Sequence, residues 1–343
     1  MENYNTPVVY TTNDNYSMQT AVSIASLLEN NRHLHFCFYV LTEHVSEENI
    51  KRITHLVESY GERIKFIEMP ELNDYAGFKL SLQFHGLPKV AYCRLFFSDL
   101  LPDCIEHLIY LDPDTLITGD IDDLVRTLNS NEFEEFYCAA CLDGKSFYKR
   151  VHRFRKEENY YNAGVLLINL KRWRKDGIQE AFVQEIKRRR GKSADADQSY
   201  FNCVLINQIM KLPVKYNILT PYFNDYESFL KKSKYETKET YSETEIKEAI
   251  NHPIIIHFTS ASNCRPWYKD CKHPLADLWY KYLKRTEWKN YQPIENPNNN
   301  GKISIQKTIL EIRFIRSIYY ILYIRIRKGF KVKLYRKGNV ADQ

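Results

Sequence analysis

Val8-Val-Tyr-Thr-Thr12-Asn-Asp-Asn-Tyr16 is a β-branched and aromatic run that stops abruptly in polar turn residues. It reads as a strand followed by a tight turn. The next segment has a different period. Ser17–Leu28 places Ala21, Ile24, Ala25 and Leu28 on one helical face. Phe36–Leu41 is a second apolar strand. Ser46 stands where a helix N-cap is wanted, before a helix whose inner face is Ile50, Ile53, Leu56 and Val57. Ile64–Ile67 is a third strand. Strand–helix–strand–helix–strand predicts an α/β fold with parallel strands covered by helices.

Further strands are predicted at Leu108–Leu111, Tyr137–Leu142, Val165–Asn169 and Ile254–Phe258, with helices at Gln179–Arg190 and Leu275–Leu283. Phe223–Ala249 is charged, tyrosine-rich and weakly periodic, and reads as a helical or irregular insertion. Pro293–Gly301 has the composition of a linker.

The glycines exclude two nucleotide folds. No Gly-x-Gly-x-x-Gly follows the first strand, and Gly-x-x-x-x-Gly-Lys-[Ser/Thr] is absent. The turn Thr11–Tyr16 is suited instead to hold a base and ribose by side-chain hydrogen bonds, or simply to cap a helix.

Charge is unevenly distributed. The 343 residues carry a net +6, yet residues 302–343 alone carry 11 Lys/Arg against 2 Asp/Glu. The body is therefore slightly acidic, which argues against nucleic acid as a partner. In the tail, Ile309, Ile312, Ile315, Tyr319, Leu322 and Tyr323 alternate with Arg313, Arg316, Arg325, Arg327 and Lys328. A basic, aromatic, amphipathic segment of this kind reads as lying on an anionic membrane surface. The other reading is a docking helix. The beginning of the chain shows no secretory h-region, and no run approaches the about 20 apolar residues of a membrane span. The eight cysteines follow no disulfide spacing and read as reduced thiols, Cys138 and Cys141 among them. These features predict a cytoplasmic protein held peripherally at the inner face of the membrane.

The sharpest chemical feature is His107-Leu-Ile-Tyr-Leu-Asp112-Pro-Asp114. Extended geometry would put both carboxylates on one face at a strand's end, where they can hold a hard divalent cation. Alone, such a pair is more often a solvated cap. Asp120, Asp122 and Asp123 read as capping and surface residues. Four other sites add weight. Asn162-Ala163-Gly164 sets an amide at the mouth of a buried strand. Asp195-Ala-Asp197-Gln198 follows a basic run. Arg94 offers a guanidinium that can pair with a carboxylate or a diphosphate. His257 ends a late apolar run, with Arg265-Pro-Trp267 close behind.

Taken in order, Val-Tyr-Thr-Thr-Asn-Asp-Asn-Tyr, Ala91-Tyr-Cys-Arg94-Leu, Tyr110-Leu-Asp-Pro-Asp, Tyr161-Asn-Ala-Gly-Val-Leu-Leu-Ile-Asn-Leu-Lys-Arg-Trp173, Asp197-Gln198 and His257-Phe with Arg265-Pro-Trp267 strongly resemble glycosyltransferase family 8. That family includes lipopolysaccharide α-galactosyl- and α-glucosyltransferases and glycogenin. The likeness covers roughly residues 7–290.

The resemblance implies a GT-A, Rossmann-like fold with a mixed, mainly parallel sheet, in a catalytic domain over 1–292. A linker over 293–301 and the basic tail over 302–343 would come after it. It implies retaining transfer of galactose or glucose from a UDP-hexose to a glycan or lipid-linked saccharide, as in lipopolysaccharide or other surface-polysaccharide synthesis. The metal would be Mn2+, with Mg2+ the alternative, on Asp112, Asp114 and His257. Thr11, Asn13, Asn15 and Tyr16 would line the uridine pocket. Arg94, Asp112, Asp143, Asn162, Ala163 and Arg265 would contact the donor. Gln198 and Asp197 would be catalytic, Gln198 steadying oxocarbenium charge in a front-face displacement, with Asp197 as nucleophile the less favoured scheme. Three departures stand out: Asn13 replaces a frequent acidic residue, Ser260 a glycine, and Arg265 a lysine. Phe78–Val90 would form a lid. The competing readings are a GT-A transferase with another donor and a catalytically silent membrane scaffold.

Overall fold

The computed structural model describes residues 5–70, 89–143, 157–191, 195–224, 240–259 and 264–297, with single residues 149, 152, 154, 155 and 193. The expected lid up to residue 88, Ser260 and the tail 302–343 lie outside the described residues.

The opening pattern forms as read. Strand β1 (Thr6–Asn13), helix α1 (Ser17–Asn30), β2 (Phe36–Glu43), α2 (Glu47–Ser59) and β3 (Arg63–Glu68) succeed one another. Ser46 caps α2 by accepting from the Asn49 backbone N–H. Past the end of that helix, Gly61 takes the left-handed backbone (φ +79°) that a side chain would resist. A 3-10 helix (Lys89–Phe96) then leads to β4 (His107–Leu111), β5 (Thr115–Ile117) and α3 (Asp122–Leu128). β6 (Cys138–Leu142), β7 (Tyr161–Asn169), α4 (Leu170–Lys175), α5 (Ile178–Arg188), α6 (Ala196–Val204) and β8 (Ile209–Lys211) come next. Then come β9 (Ile218–Leu219), α7 (Glu243–Asn251), β10 (Ile255–His257) and α8 (Ala276–Leu283).

The main sheet has the order β3-β2-β1-β4-β7-β6-β8. Its contacts are parallel except for β7, which runs antiparallel to both β4 and β6. Alternate residues feed two cores. Val9, Leu166 and Ile168 face one side, while Val8, Tyr10, Val165 and Leu167 face the other. Complete burial of β7 stems from its place between two strands with both faces covered.

Two readings need correction. β7 begins at Tyr161, not Val165, so Asn162 sits inside the strand rather than at its mouth. The apolar face expected of α1 is too narrow a description: Ser17–Leu28 is buried throughout. Its small hydroxyls make this possible. Ser23 Oγ meets Tyr10 Oη and Thr115 Oγ1, both at 3.0 Å, and Ser26 Oγ accepts from the Ile117 N–H. At its end, Asn30 Nδ2 donates to the Ile117 carbonyl at 3.0 Å and to Tyr282 of α8 at 2.7 Å. The weakly periodic insertion, read as helical or irregular, is helical in part, as α7. Its capping box, Ser242 with Glu245, is a start signal legible in the sequence. Residues 225–239 lie outside the described residues.

By contacts the chain divides into two units, Met1–Trp267 with Cys271–Gln292, and Tyr268–Asp270 with Pro293–Gln343. In the second, Tyr268 and Ile294 form a parallel bridge and Lys269 pairs with Glu295 at 2.8 Å.

One buried group makes the first unit acid-sensitive. His273 lies edge-on to Phe223 and Phe258, and its Nδ1 accepts from the Leu275 N–H. Burial pushes its pKa down to about 4. The unfolded chain takes up this proton near 6.5, the native one only near 4, so stability is full above that window and falls through it as pH drops. The loss reaches about 3 kcal/mol at the acid end. Urea titrations at pH 7 and 4.5 on wild type and His273→Leu should show a flatter acid limb for the variant. Parallel limbs would refute the assignment.

Candidate active site

The site lies at the carboxyl ends of β1 and β4, where open α/β sheets hold their ligands. β4 stops at Leu111, and Asp112 to Thr115 form a tight turn in which the Thr115 N–H and Oγ1 both bond the Asp112 carbonyl. The two carboxylates therefore converge through this turn, not through the alternation of an extended strand. β5 then pairs antiparallel with β10, placing His257 opposite Thr115. His257 Nε2 lies 3.1 Å from Asp114 Oδ1 and 3.7 Å from Asp112 Oδ2. One donor atom from each of the three residues falls within 4.8 Å of the others.

Gly164 stands directly behind them on β7. A Cβ there would lie 2.7 Å from His257 Nδ1 and 2.8 Å from Asp112 Oδ2. Only glycine leaves room for the imidazole.

Arg94 is the electrostatic hub. Its Nη2 meets Asp112 Oδ1 at 2.8 Å, its Nε meets Asp197 Oδ2 at 2.8 Å, and its Nη1 bonds the Ala163 carbonyl. The guanidinium also lies over the Tyr110 ring, 4.5 Å from its centre. Of the two partners open in the sequence reading, carboxylate and diphosphate, this geometry gives it carboxylates. Tyr110 Oη donates to Asp112 Oδ1 at 2.6 Å and so accepts from Thr11 Oγ1 at 2.9 Å. Burial pushes the Asp197 carboxyl up to about 6, against the pull of Arg94 and with a further push from Asp112.

Gln198 is fastened on every side. Its Oε1 accepts from the Ala163 N–H at 2.9 Å and from Asn162 Nδ2 at 3.2 Å. Its Nε2 donates to Asp143 Oδ2 at 3.0 Å and Asp195 Oδ2 at 2.7 Å. Asp195 is a site residue that sequence reasoning misses, and its place three positions before Gln198 on the edge of α6 is the signal that could have found it.

A cavity of about 220 Å³ joins these groups, lined by Thr11, Asn13, Tyr16, Arg94, Asp112, Asp114, Ala163, Asp195, Asp197, Gln198, His257 and Arg265 among others. Arg265 bonds Asp114 Oδ2 at 3.1 Å and Tyr16 Oη at 2.8 Å. Asn15, Asp143 and Asn162 do not line the cavity. Asn15 is exposed, while Asp143 and Asn162 are buried behind the wall and hold Gln198. Asp14 is turned away, its carboxylate accepting from the Ser46 N–H and Asn49 Nδ2. Cys138 and Cys141 are buried free thiols in β6. Asp120 and Asp122 are local, the first accepting from the second's N–H.

The residues fit a bound polar ligand and a cation. Asn13 Oδ1 and Thr259 Oγ1 are buried beside the cavity without a partner among the described residues. Buried polar atoms of this kind are normally satisfied, here by whatever enters. Two carboxylates and an imidazole form a donor set that could hold a divalent metal ion.

The mainly parallel α/β sheet, with Asp112, Asp114 and His257 gathered beyond the carboxyl ends of its strands, is a GT-A fold. Residues 7–271 match the model of glycosyl transferase family 8, and the chain belongs to that family. It is 26% identical over 324 residues to a lipopolysaccharide 1,2-glucosyltransferase of Escherichia coli, covering 92% of this chain and 89% of that one. It is 25% identical over 300 residues to general stress protein A of Bacillus subtilis, covering 85% and 97%. The crystal structure of the galactosyltransferase LgtC, in complex with donor and acceptor sugar analogues, superposes with a TM-score of 0.66 at 21% identity. It covers 83% of this chain and all of that one, and speaks for the fold.

Proposed function

We propose that this protein transfers galactose or glucose, with retention, from a UDP-hexose to a glycan or lipid-linked saccharide in the synthesis of lipopolysaccharide or another surface polysaccharide. The observation that carries this reading is the convergence of Asp112, Asp114 and His257 within 4.8 Å inside a chain of this family. The name of the Escherichia coli relative supports the acceptor class.

Asp112, Asp114 and His257 would hold Mn2+, which when bound would offset the negative charge of a departing diphosphate. Thr11, Asn13 and Tyr16 would receive the uridine, with Asn13 Oδ1 a ready acceptor. Arg265 stacks near Tyr16 and Trp267, 5.9 and 5.5 Å from their ring centres, and stands where diphosphate oxygens would arrive. Gln198 and Asp197 would flank the reacting sugar. Neither is poised as a nucleophile, since Asp197 is paired with Arg94 and the Gln198 oxygen already accepts two hydrogen bonds. That supports front-face displacement.

The catalytic domain would span 1–292, and the basic tail after the linker would hold the enzyme against the anionic cytoplasmic face of the membrane. Among the described residues no helix is long and apolar enough to cross a bilayer. The test is UDP release from a panel of UDP-sugars with Mn2+ or EDTA. One UDP-hexose should be hydrolysed slowly in a metal-dependent way, and Asp114→Ala should lower that rate by at least about 10²-fold. Failure to bind or cleave any UDP-sugar would sink this reading.

A further inference from the structure

We propose that Asn217 is a positioning residue for His257, and that the backbone N–H of Gly164 dictates, through two side-chain amides, which imidazole nitrogen faces the acidic pair. The inference rests on reading Asp112, Asp114 and His257 as a metal site.

The relay begins at a group with no choice of role. A backbone N–H can only donate, and that of Gly164 lies 2.9 Å from one end of the Asn162 amide, which is therefore the oxygen. The other end is then Nδ2, and it does meet acceptors, Asp143 Oδ2 at 3.3 Å and Gln198 Oε1 at 3.2 Å. The second lone pair of Asn162 Oδ1 is taken by Asn217 at 2.8 Å, and that atom must be Nδ2. Asn217 Oδ1 is left facing His257 Nδ1 at 3.0 Å. An amide oxygen only accepts, so the proton is on Nδ1. Nε2 is thereby the nitrogen free to offer its lone pair to a cation between Asp112 and Asp114.

Each link is buried. Asn162, Asn217 and His257 expose 6%, 1% and 4% of their surface, so water cannot stand in for a lost partner. Asn217 immediately precedes β9, whose parallel pairing with β10 fixes its distance from His257. A ligating histidine gains affinity when its other nitrogen donates to a fixed acceptor, and loss of that acceptor typically costs about 10–100-fold. Asn162 thus braces two groups at once, His257 through Asn217 and Gln198 directly.

The experiment is Mn2+ titration followed by electron paramagnetic resonance of the free ion, on full-length wild type, Asn217→Leu and Asn217→Asp. Leucine removes the acceptor. Aspartate keeps an oxygen for Nδ1–H, adds a negative charge that strengthens that bond, and loses the donor to Asn162. Binding should weaken by about 10–100-fold for Asn217→Leu and by no more than a few-fold for Asn217→Asp. Equal affinity in all three proteins, or an equal loss in both variants, overturns the proposal. A readout that needs no variant is the 15N–1H correlation pattern of the His257 ring in metal-free wild type. It should show a proton on Nδ1, and a bare Nδ1 overturns the assignment. A folded wild type that shows the Nδ1–H tautomer yet binds no Mn2+ would instead remove the metal-site reading and leave the tautomer relay standing.

Discussion

Gly164→Ala should remove divalent-cation binding and lower sugar transfer by at least about 10²-fold, with the sheet still folded. The added methyl would be less than 3 Å from both His257 Nδ1 and Asp112 Oδ2, closer than carbon tolerates. Neither neighbour can yield cheaply. The imidazole is held by Asn217, and Asp112 by Arg94 and Tyr110. The backbone cannot retreat either, because the Gly164 carbonyl accepts from the Asp112 N–H at 2.8 Å. Relief must come from displacing ring or carboxylate, and a shift of about 1 Å at a reacting centre is enough for such a loss. Circular dichroism and a Mn2+ titration on the same preparation make the check. A variant that binds Mn2+ and turns over like wild type would mean that these side chains are not in their working positions.

Arg94→Met should have the largest effect on stability, about 3–5 kcal/mol at pH 8. Methionine keeps most of the volume and removes the cation that Asp112 and Asp197 share. Two carboxylates would then remain in a buried site without it. The deficit should shrink at pH 5. Burial already raises Asp197 to about 6, so below that value it carries a proton and no longer needs a counter-charge, while above it the ionised form destabilises the fold. Arg94→Lys should recover part of the loss, since an ammonium can meet one carboxylate but lacks the fork that spans both. Urea unfolding at the two pH values measures this. A deficit below about 1 kcal/mol at both would show that the hub is not a principal source of stability.

The opening strand, the early helices and the Ser46 cap are legible because their signals are local. Periodicity of two or 3.6 and a hydroxyl before a helix need only a few neighbouring residues. The short strands β5 and β9 leave no such signal, and α1 reads as half-exposed because a helix does not announce a second layer packed outside it. In the site, Asp112, Asp114, His257 and Gln198 stand out by motif. Asn217 does not, since an asparagine before a two-residue strand is indistinguishable from an ordinary turn residue.

By itself the sequence determined the alternation of strands and helices, the family resemblance and the kinds of side chain present. The tertiary structure decided what those side chains do. It turned Arg94 toward two carboxylates, set Asn162 and Asp143 behind the wall they were expected to line, and placed Asn217 on His257. The physical reason is burial. In water each of these groups would be satisfied by solvent and its partner would be immaterial. Inside the protein every donor must find an acceptor, and which one it finds depends on strand register and sheet order, which bring together residues from distant parts of the chain.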